Sequence, residues 1–175
     1  MNKKELRIKY KNIRDNIKDK NIKDKIIFDK VINDKEILSK KNILIYVSTN
    51  SEVDTIEIIK YFIGKKNIAV PKIVNNEMKF CYINNLDELK KGTFNIYEPI
   101  NNNYLTSFDD SICITPLICF DENNYRIGYG KGFYDKFLNK YKIVAIGLSY
   151  KECLIKKIDT DEFDYKLNRV ITEEI

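Results

Sequence analysis

The densest group of residues that could do chemistry is the run RIGYGKGFYD, from Arg126 to Asp135. It contains three of the six glycines of the chain, namely Gly128, Gly130 and Gly132. Glycines at every second position permit positive φ and carry no Cβ, so their N–H groups can approach a bound anion closely. Arg126 and Lys131 add positive charge beside these amides, and Asp135 adds a carboxylate that could hold a metal ion carried by a phosphate. The run therefore predicts a binding site for a polyphosphate.

The position of this run supports the same prediction. An apolar segment from Ile112 to Phe120 precedes it, and Phe133, Phe137 and Leu138 follow at helical spacing. A strand, a loop and a helix in that order put the loop at a helix N-terminus, where backbone dipoles favour anions. A glycine-rich connector without a ligand would have a similar composition, and the spacing matches neither a Walker A loop nor G-x-G-x-x-G. The residues of the run alone leave both interpretations open.

The run resembles the R-x-G-[YR]-G-x-G-[YF]-Y-D signature of the 5-formyltetrahydrofolate cyclo-ligase family, also called methenyltetrahydrofolate synthetases. The resemblance covers nearly the whole chain. It implies ATP- and Mg²⁺-dependent cyclisation of 5-formyltetrahydrofolate to 5,10-methenyltetrahydrofolate, with release of ADP and phosphate. Within the signature it implies catalytic roles for Arg126, Lys131 and Tyr134. It also implies ATP contacts from Arg126, Gly128, Gly130, Lys131, Gly132, Phe133 and Tyr134.

A second part of the resemblance lies near the N-terminus. The family begins with a K-x-x-L-R element that reaches the nucleotide, and the segment from Lys3 to Arg7 matches it. Lys3 and Arg7 are one helical turn apart and can point the same way. The resemblance therefore implies ATP contacts from Lys3, Lys4 and Arg7, whereas composition alone favours a solvated helix face.

Two further segments resemble the folate-binding elements of the family. Glu52-Val53-Asp54-Thr55 matches E-V-[DE]-T, which makes Glu52 the candidate for the N–H donors of the pteridine, while Asp54 is better explained as a capping box with Glu57. The other segment resembles a glycine followed by Ile-x-Glu-Pro, with Asn95 in place of the glycine. Asn tolerates positive φ, so this turn can survive. The resemblance implies folate contacts from Glu52, Glu98, Pro99, Tyr129 and Phe133.

The expected metal ligands are two carboxylates far apart in the chain. Asp135 closes the glycine signature, and Asp164 ends a segment that resembles a closing H-D element of the family. Phe163 stands where that element has its histidine, so whatever the histidine contributes is missing. The resemblance implies that Asp135 and Asp164 hold Mg²⁺.

The elements that must position these residues alternate along the chain. Apolar spacing predicts one helix over residues 3 to about 20, a second from about Asp24 to Ser39, and a short helix from Leu86 to Lys91. Apolar runs between the helices predict buried strands. This alternation predicts an α/β layered sandwich with a largely parallel central sheet flanked by helices. Ligands bind past the carboxyl ends of such strands, where Glu52, the glycine run and Lys72 all fall, although Lys72 is equally explained as a surface lysine.

Composition bounds the remaining possibilities. The chain has 175 residues and a formal charge of +5, and we expect one domain over residues 1–175 that acts as a monomer. Basic and acidic residues are interspersed, which argues against a nucleic-acid partner. No apolar run approaches the roughly 18 residues that span a bilayer. The first twenty residues are too charged for a signal peptide, so we expect a cytoplasmic protein.

The chain has no histidine, which excludes Ser-His and Cys-His catalysis. Its four cysteines, Cys81, Cys113, Cys119 and Cys153, form no C-x-x-C pair and are expected to be buried free thiols. Two other classes remain open. A sugar-phosphate isomerase of related architecture would need a phosphate loop but no nucleotide, and a basic RNA-binding module would need exposed aromatic residues on its strands.

Overall fold

A computed structural model describes residues 1–92 and 95–174 of the chain. The described residues form five α-helices: α1 Lys3–Asp15, α2 Lys20–Ile32, α3 Lys35–Ser39, α4 Ile56–Phe62 and α5 Phe133–Tyr141. They also form eleven strands: β1 Asn42–Ile45, β2 Asn67–Val74, β3 Glu77–Ile83, β4 Leu89–Lys91, β5 Tyr97–Pro99, β6 Ser111–Thr115, β7 Cys119–Asp121, β8 Arg126–Ile127, β9 Val144–Leu148, β10 Leu154–Ile155 and β11 Arg169–Ile171. None of the described helices is long and apolar enough to cross a bilayer.

Six strands form the central sheet, in the order β11-β9-β6-β1-β2-β3. The first five are parallel to one another, and β3 runs antiparallel to β2. A smaller sheet contains β10, β7 and β8, and β4 pairs with β5. The predicted largely parallel central sheet is confirmed.

Helices cover both faces of this sheet, because successive residues of each strand point to opposite faces and both faces carry apolar side chains. Ile43 and Ile45 of β1 pack in one core with residues of α2, α3 and α4, whereas Leu44 packs on the opposite face with Phe137 and Leu138 of α5. A third cluster joins Leu6 of α1 to the smaller sheet. The predicted layered sandwich of helices around a sheet is therefore confirmed as well.

Three predicted helices have different bounds in the structure. The first ends at Asp15, and the second region is divided into α2 and α3. The division occurs because the Asp34 side chain accepts a hydrogen bond from the Ile37 N–H at 3.0 Å and so begins a new helix. The region from Leu86 makes only one 3-10 turn, Leu86–Glu88, before the chain becomes β4, because pairing with β5 overrides its helical spacing.

The predicted capping box of Asp54 and Glu57 is wrong: the N-cap of α4 is Thr55, and Asp54, one residue earlier, accepts a hydrogen bond from the Ile56 N–H at 2.9 Å. Its predicted capping-box partner, Glu57, is exposed and instead pairs with Lys60 at 3.3 Å. Asp54 therefore satisfies the first N–H of the helix without forming a capping box. This leaves Glu52, two residues earlier, outside the helix and beside the carboxyl end of β1.

Candidate active site

A cleft of about 870 Å³ opens past the carboxyl ends of β1, β2 and β6, and α1 and the N-terminus of α5 complete its walls. This volume lies within the range of small-molecule sites, which is roughly 300–1,000 Å³. Most of the predicted site residues line it: Lys3, Arg7, Glu52, Glu98, Arg126, Gly128, Tyr129, Gly130, Lys131, Gly132, Phe133, Tyr134, Asp135 and Asp164. Lys4 and Pro99 are not among the lining residues: Lys4 is exposed on α1, and Pro99 is buried in β5. Lys72 also lies apart from the cleft and donates to Asn101 and Asn102.

The glycine run has the backbone geometry that its sequence predicts. Gly130 and Gly132 have φ values of +98° and +72°, in the region that favours glycine, and Gly132 is the N-cap of α5. At Gly128 the reason for glycine is different, because a Cβ would lie 2.5 Å from Nη1 of Arg126. The loop therefore presents its backbone at a helix N-terminus on the wall of the cleft.

Arg126 is the buried cation of this loop, with 8% of its surface exposed. Nη1 donates to the Pro116 carbonyl at 3.2 Å, and Nη2 lies 3.5 Å from Oδ1 of Asp135. The guanidinium also lies over the ring of Tyr134, 5.5 Å from its centroid. Its Nε has no hydrogen-bond acceptor among the described residues. Arg126 is thus a rigidly held positive charge with donor capacity left over.

Helix α1 lines the cleft with a stripe of basic side chains at helical spacing: Lys3, Arg7, Lys11 and Arg14. Arg7 joins this stripe to the glycine loop. Its Nε donates to the Gly128 carbonyl at 2.9 Å, and a Cβ on Gly130 would lie 3.4 Å from the carbon of its guanidinium. The two segments for which the resemblance implies ATP contacts, more than a hundred residues apart, are therefore in direct contact.

The two candidate metal ligands lie on neighbouring segments. Asp135 accepts a hydrogen bond from the N–H of Tyr165 at 3.3 Å, and Tyr165 directly follows Asp164. Asp164 accepts from Lys3 Nζ at 2.6 Å and from the N–H of Asp161 at 2.9 Å. Among residues 1–92 and 95–174 there is no cluster of three or more histidine, cysteine or acidic side chains that could hold a metal ion. A cation here would have to take further ligands from outside the protein.

Glu52 has both carboxylate oxygens engaged in hydrogen bonds. Oε1 accepts from the N–H and the hydroxyl of Thr49, at 2.8 and 3.0 Å, and Oε2 accepts from the hydroxyl of Tyr129 at 3.0 Å. Burial and the nearby Glu52 charge raise the pKa of Tyr129, so its phenol remains protonated and able to donate. Sequence and structure agree that Glu52 faces the cleft.

Glu98 is buried between two strands at the edge of the cleft. Its Oε2 accepts from the N–H of Ile73 at 2.6 Å, which ties β5 to β2. A Cβ on Gly92 would lie 1.9 Å from Oε1, so only glycine leaves room for this carboxylate. Asn95 has φ +58°, as predicted for the residue that replaces a glycine in this segment. Glu98 therefore organises the cleft wall as well as lining it.

Aromatic side chains complete the cleft. Phe133 and Tyr134 are partly buried at the start of α5, and the Tyr134 ring contacts Phe80 edge-on at 6.5 Å between centroids. Burial raises the pKa of the Tyr134 phenol well above its usual value, so it is a neutral donor at physiological pH. Phe163 lies at the mouth with 72% of its surface exposed. The histidine of the family element is thus replaced by an exposed apolar ring.

The four cysteines are buried free thiols, as expected from the sequence. They do not line the cleft. Burial raises the pKa of Cys113 and Cys119 to about 12 and that of Cys81 and Cys153 to about 11. A thiol with so high a pKa is a poor nucleophile at neutral pH, so the cleft must act through its cations, carboxylates and phenols.

A largely parallel sheet with a cleft past the carboxyl ends of its strands defines an α/β protein, and such folds bind their ligands at that position. The family model described as "5-formyltetrahydrofolate cyclo-ligase family" matches residues 1–173, and the chain belongs to this family.

Individual relatives agree. The chain is 29% identical over 136 residues to 5-formyltetrahydrofolate cyclo-ligase of Haemophilus influenzae, covering 73% of each chain. It is 28% identical over 152 residues to the Mus musculus enzyme of that name, covering 78% of this chain and 75% of that one. The solved structure of Aquifex aeolicus 5,10-methenyltetrahydrofolate synthetase has a TM-score of 0.89 at 25% identity, over 100% of this chain and 91% of that one.

Sequence reasoning missed one buried charge of the site, Arg14. It lies in the last turn of α1 and donates a hydrogen bond to Tyr129 at 2.7 Å. A signal was present, because Arg14 continues the stripe of Lys3 and Arg7 at helical spacing. It was overlooked because basic residues on an amphipathic helix are usually solvated.

Proposed function

We propose that the cleft catalyses the ATP-dependent cyclisation of 5-formyltetrahydrofolate to 5,10-methenyltetrahydrofolate, with release of ADP and phosphate. The observation that carries the proposal is the contact of Arg7 with the carbonyl of Gly128. It joins a basic helix stripe to a glycine loop at a helix N-terminus, and both features favour the binding of a polyphosphate. Family membership supplies the reaction.

The phosphate side of the cleft is formed by α1 and the glycine loop. Arg7, Arg126 and Lys131 neutralise the phosphates, and Lys3 approaches them from the first turn of α1. The amides of the loop add donors that are fixed in position before the nucleotide arrives. Fixed donors and charges lower the barrier to phosphoryl transfer because they need no reorganisation as charge develops.

Asp135 and Asp164 are the residues that would hold Mg²⁺. Oδ2 of Asp135 and Oδ1 of Asp164 accept no hydrogen bond from the described residues, so each carboxylate has an oxygen left for a hard cation. Two carboxylates suit a metal that also binds phosphate oxygens and water. When bound, Mg²⁺ neutralises negative charge on the nucleotide phosphates.

The folate side is formed by the ends of β1, β2 and β3 and by aromatic rings. Val47, Ile73 and Met78 supply apolar surface, and Glu52 supplies an acceptor for pteridine N–H groups. Tyr129 of the glycine loop and Phe133 and Tyr134 at the start of α5 line the same cleft, and we expect the formyl group to meet the phosphate beside them. The chain's task is to hold the formyl oxygen near the phosphoryl donor and the neighbouring folate nitrogen near the formyl carbon.

We further propose that the protein works as a cytoplasmic monomer without a nucleic-acid partner. The buried free thiols support a reducing compartment. Strands β1 and β6 are buried along their whole length, which disfavours the exposed aromatic strands of an RNA-binding module. The basic helix stripe beside the glycine loop favours a nucleotide over the single phosphate of a sugar-phosphate isomerase.

The test is an absorbance assay for methenyltetrahydrofolate formation, with ATP and Mg²⁺ supplied together and each omitted in turn. We expect product only when both are present. Glu52→Gln keeps the size of the side chain but loses its charge, so folate affinity should fall by about 10- to 100-fold, the worth of hydrogen bonds to a charged group. Its melting temperature should fall only slightly, because the amide oxygen can keep both hydrogen bonds from Thr49 and the side chain is only partly buried. Product formation without ATP, or retention of RNA but not folate in a binding assay, would contradict the proposal.

A further inference from the structure

Arg14 is a buried cation at the inner end of the basic stripe of α1, with 5% of its surface exposed. Its Nε donates to the Ser51 hydroxyl at 3.0 Å, Nη1 to the Leu117 carbonyl at 2.9 Å, and Nη2 to the Tyr129 hydroxyl at 2.7 Å. These acceptors belong to three segments: the loop after β1, the turn after β6, and the glycine loop. Arg14 therefore joins the parts of the cleft that the chain brings together from distant positions.

The donor and acceptor groups of Arg14, Tyr129 and Glu52 fix which residue donates in each hydrogen bond between them. A guanidinium can only donate, so the Tyr129 oxygen accepts from Arg14. A phenol carries a single hydrogen, and the remaining partner within reach is Oε2 of Glu52 at 3.0 Å. Tyr129 must therefore donate to Glu52. Arg14 thus sets which way the Tyr129 hydroxyl points, and it connects its own charge to that of Glu52 through one phenol.

These bonds hold the Glu52 carboxylate at both of its oxygens. Thr49 occupies Oε1 with two donors, and Tyr129 occupies Oε2 with one. An ionised carboxylate offers about four acceptor positions, so about one remains for a ligand. Glu52 is therefore already oriented toward a ligand N–H before the ligand binds, which reduces the entropy lost on binding.

A lysine could not reproduce this arrangement. The three donors of Arg14 are spread across a rigid planar fork, and each meets a different acceptor, whereas lysine presents one point charge on a flexible stem. The geometry therefore calls for the shape of arginine as well as its charge.

We propose that Arg14 is a positioning residue for the folate side of the cleft. It acts through Tyr129 to hold Glu52 in the orientation that accepts the pteridine N–H, and it does not itself touch the substrate. This inference rests on the proposed function, because it assigns Glu52 to the folate.

The experiment is a double-mutant cycle with Arg14→Lys, Tyr129→Phe and the combined variant. Calorimetry measures 5-formyltetrahydrofolate binding without ATP and ATP binding without folate, and a thermal scan measures stability. Arg169→Lys is the matched control, because it makes the same substitution in an arginine that pairs with Asp34 outside the cleft. We expect Arg14→Lys to raise the Kd for folate about tenfold, the loss expected on weakening one hydrogen bond to a charged group, and to leave the Kd for ATP within about twofold.

In the Tyr129→Phe background, Arg14→Lys should change folate affinity by less than about twofold, because the hydroxyl that connects Arg14 to Glu52 is already absent. Equal effects in both backgrounds, or equal losses of folate and ATP affinity, would show that Arg14 serves only the fold and would overturn the inference. If Arg14→Lys does not fold, Arg14→Gln takes its place in the same cycle, and equal effects in both backgrounds again overturn the inference. A wild-type protein that binds no 5-formyltetrahydrofolate would overturn the proposed function as well.

Discussion

Asp121 offers a test of how the segment before the glycine loop is held. It ends β7 with 1% of its surface exposed. Oδ1 accepts hydrogen bonds from the N–H groups of Asn123 and Tyr125, at 2.9 and 3.0 Å, and Oδ2 accepts from the N–H of Ile158 at 2.9 Å. One carboxylate therefore fixes the turn that leads into Arg126 and also anchors a distant segment beneath α1.

The change to study is Asp121→Asn. The amide oxygen can keep the bonds from Asn123 and Tyr125, but the NH₂ group then faces the N–H of Ile158, and two donors cannot pair. The loss of one hydrogen bond to a charged group costs about 1.5–3 kcal/mol, and the two retained bonds weaken because their acceptor becomes neutral. We expect a destabilisation of about 3 kcal/mol, which lowers the melting temperature of a chain of this size by about 6–12 °C.

The assay is thermal unfolding, with amide hydrogen exchange of Ile158 as a local readout. Asp159→Asn is the matched control, because it makes the same charge change at an exposed position of the same segment and should cost less than about 0.5 kcal/mol. The Ile158 amide should exchange faster in Asp121→Asn and at the wild-type rate in the control. If both variants melt within about 2 °C of each other, the three hydrogen bonds do not carry the stability assigned to them here.

Three further predictions concern single side chains. Arg7→Ala should raise the KM for ATP about tenfold and leave the KM for folate nearly unchanged, because it removes one bond to a charged ligand. Lys25→Ala, at an exposed position, should leave both KM values unchanged. Wild-type ATP kinetics in Arg7→Ala would show that α1 is only a scaffold. Asp135→Asn should lower kcat at least about 10²-fold, partly relieved by more Mg²⁺, while near wild-type turnover at low Mg²⁺ would remove Asp135 from the metal site. Hydrogen bonds from Arg169 hold the pKa of Asp34 below its usual 3.8. The ionised carboxylate therefore stabilises the fold above about pH 3.8, and this stabilisation is lost as the pH falls through the lowered pKa. Asp34→Asn should therefore lower the melting temperature at pH 7 by an amount that shrinks below about pH 3.8, and a pH-independent difference would contradict the assignment.

Much of the site could be predicted from sequence because its motifs are local. The glycine run, the helix that follows it and the positive φ of Asn95 depend on neighbouring residues, so the sequence is enough to predict them. The division of α2 from α3 was not predicted, because apolar spacing continues past Asp34 and only the capping bond reveals the break. Local patterns predict segments well and their ends less well.

Contacts between distant segments lay beyond such reasoning. Nothing local indicates that Arg14 would lie beneath Tyr129, or that Asp121 would bind the N–H of Ile158. The same holds for the pairing of Lys3 with Asp164, which joins a candidate ATP contact to a candidate metal ligand. These contacts arise from the topology of the sheet, which decides which loops meet at its carboxyl edge.

The buried thiols give the chain built-in reporters of local opening. At neutral pH a thiol with a pKa of about 11 or 12 is almost entirely protonated, and a labelling reagent reaches it only when the surrounding structure opens. Cys113 lies within β6, whereas Cys119 and Cys153 share a cluster with Leu6 of α1. Labelling rates therefore separate opening of the sheet from lifting of α1, without any introduced probe. A nucleotide that bridges Arg7 and the glycine loop would slow labelling of Cys119 and Cys153 in particular. The labelling rates of these two thiols would then report nucleotide binding.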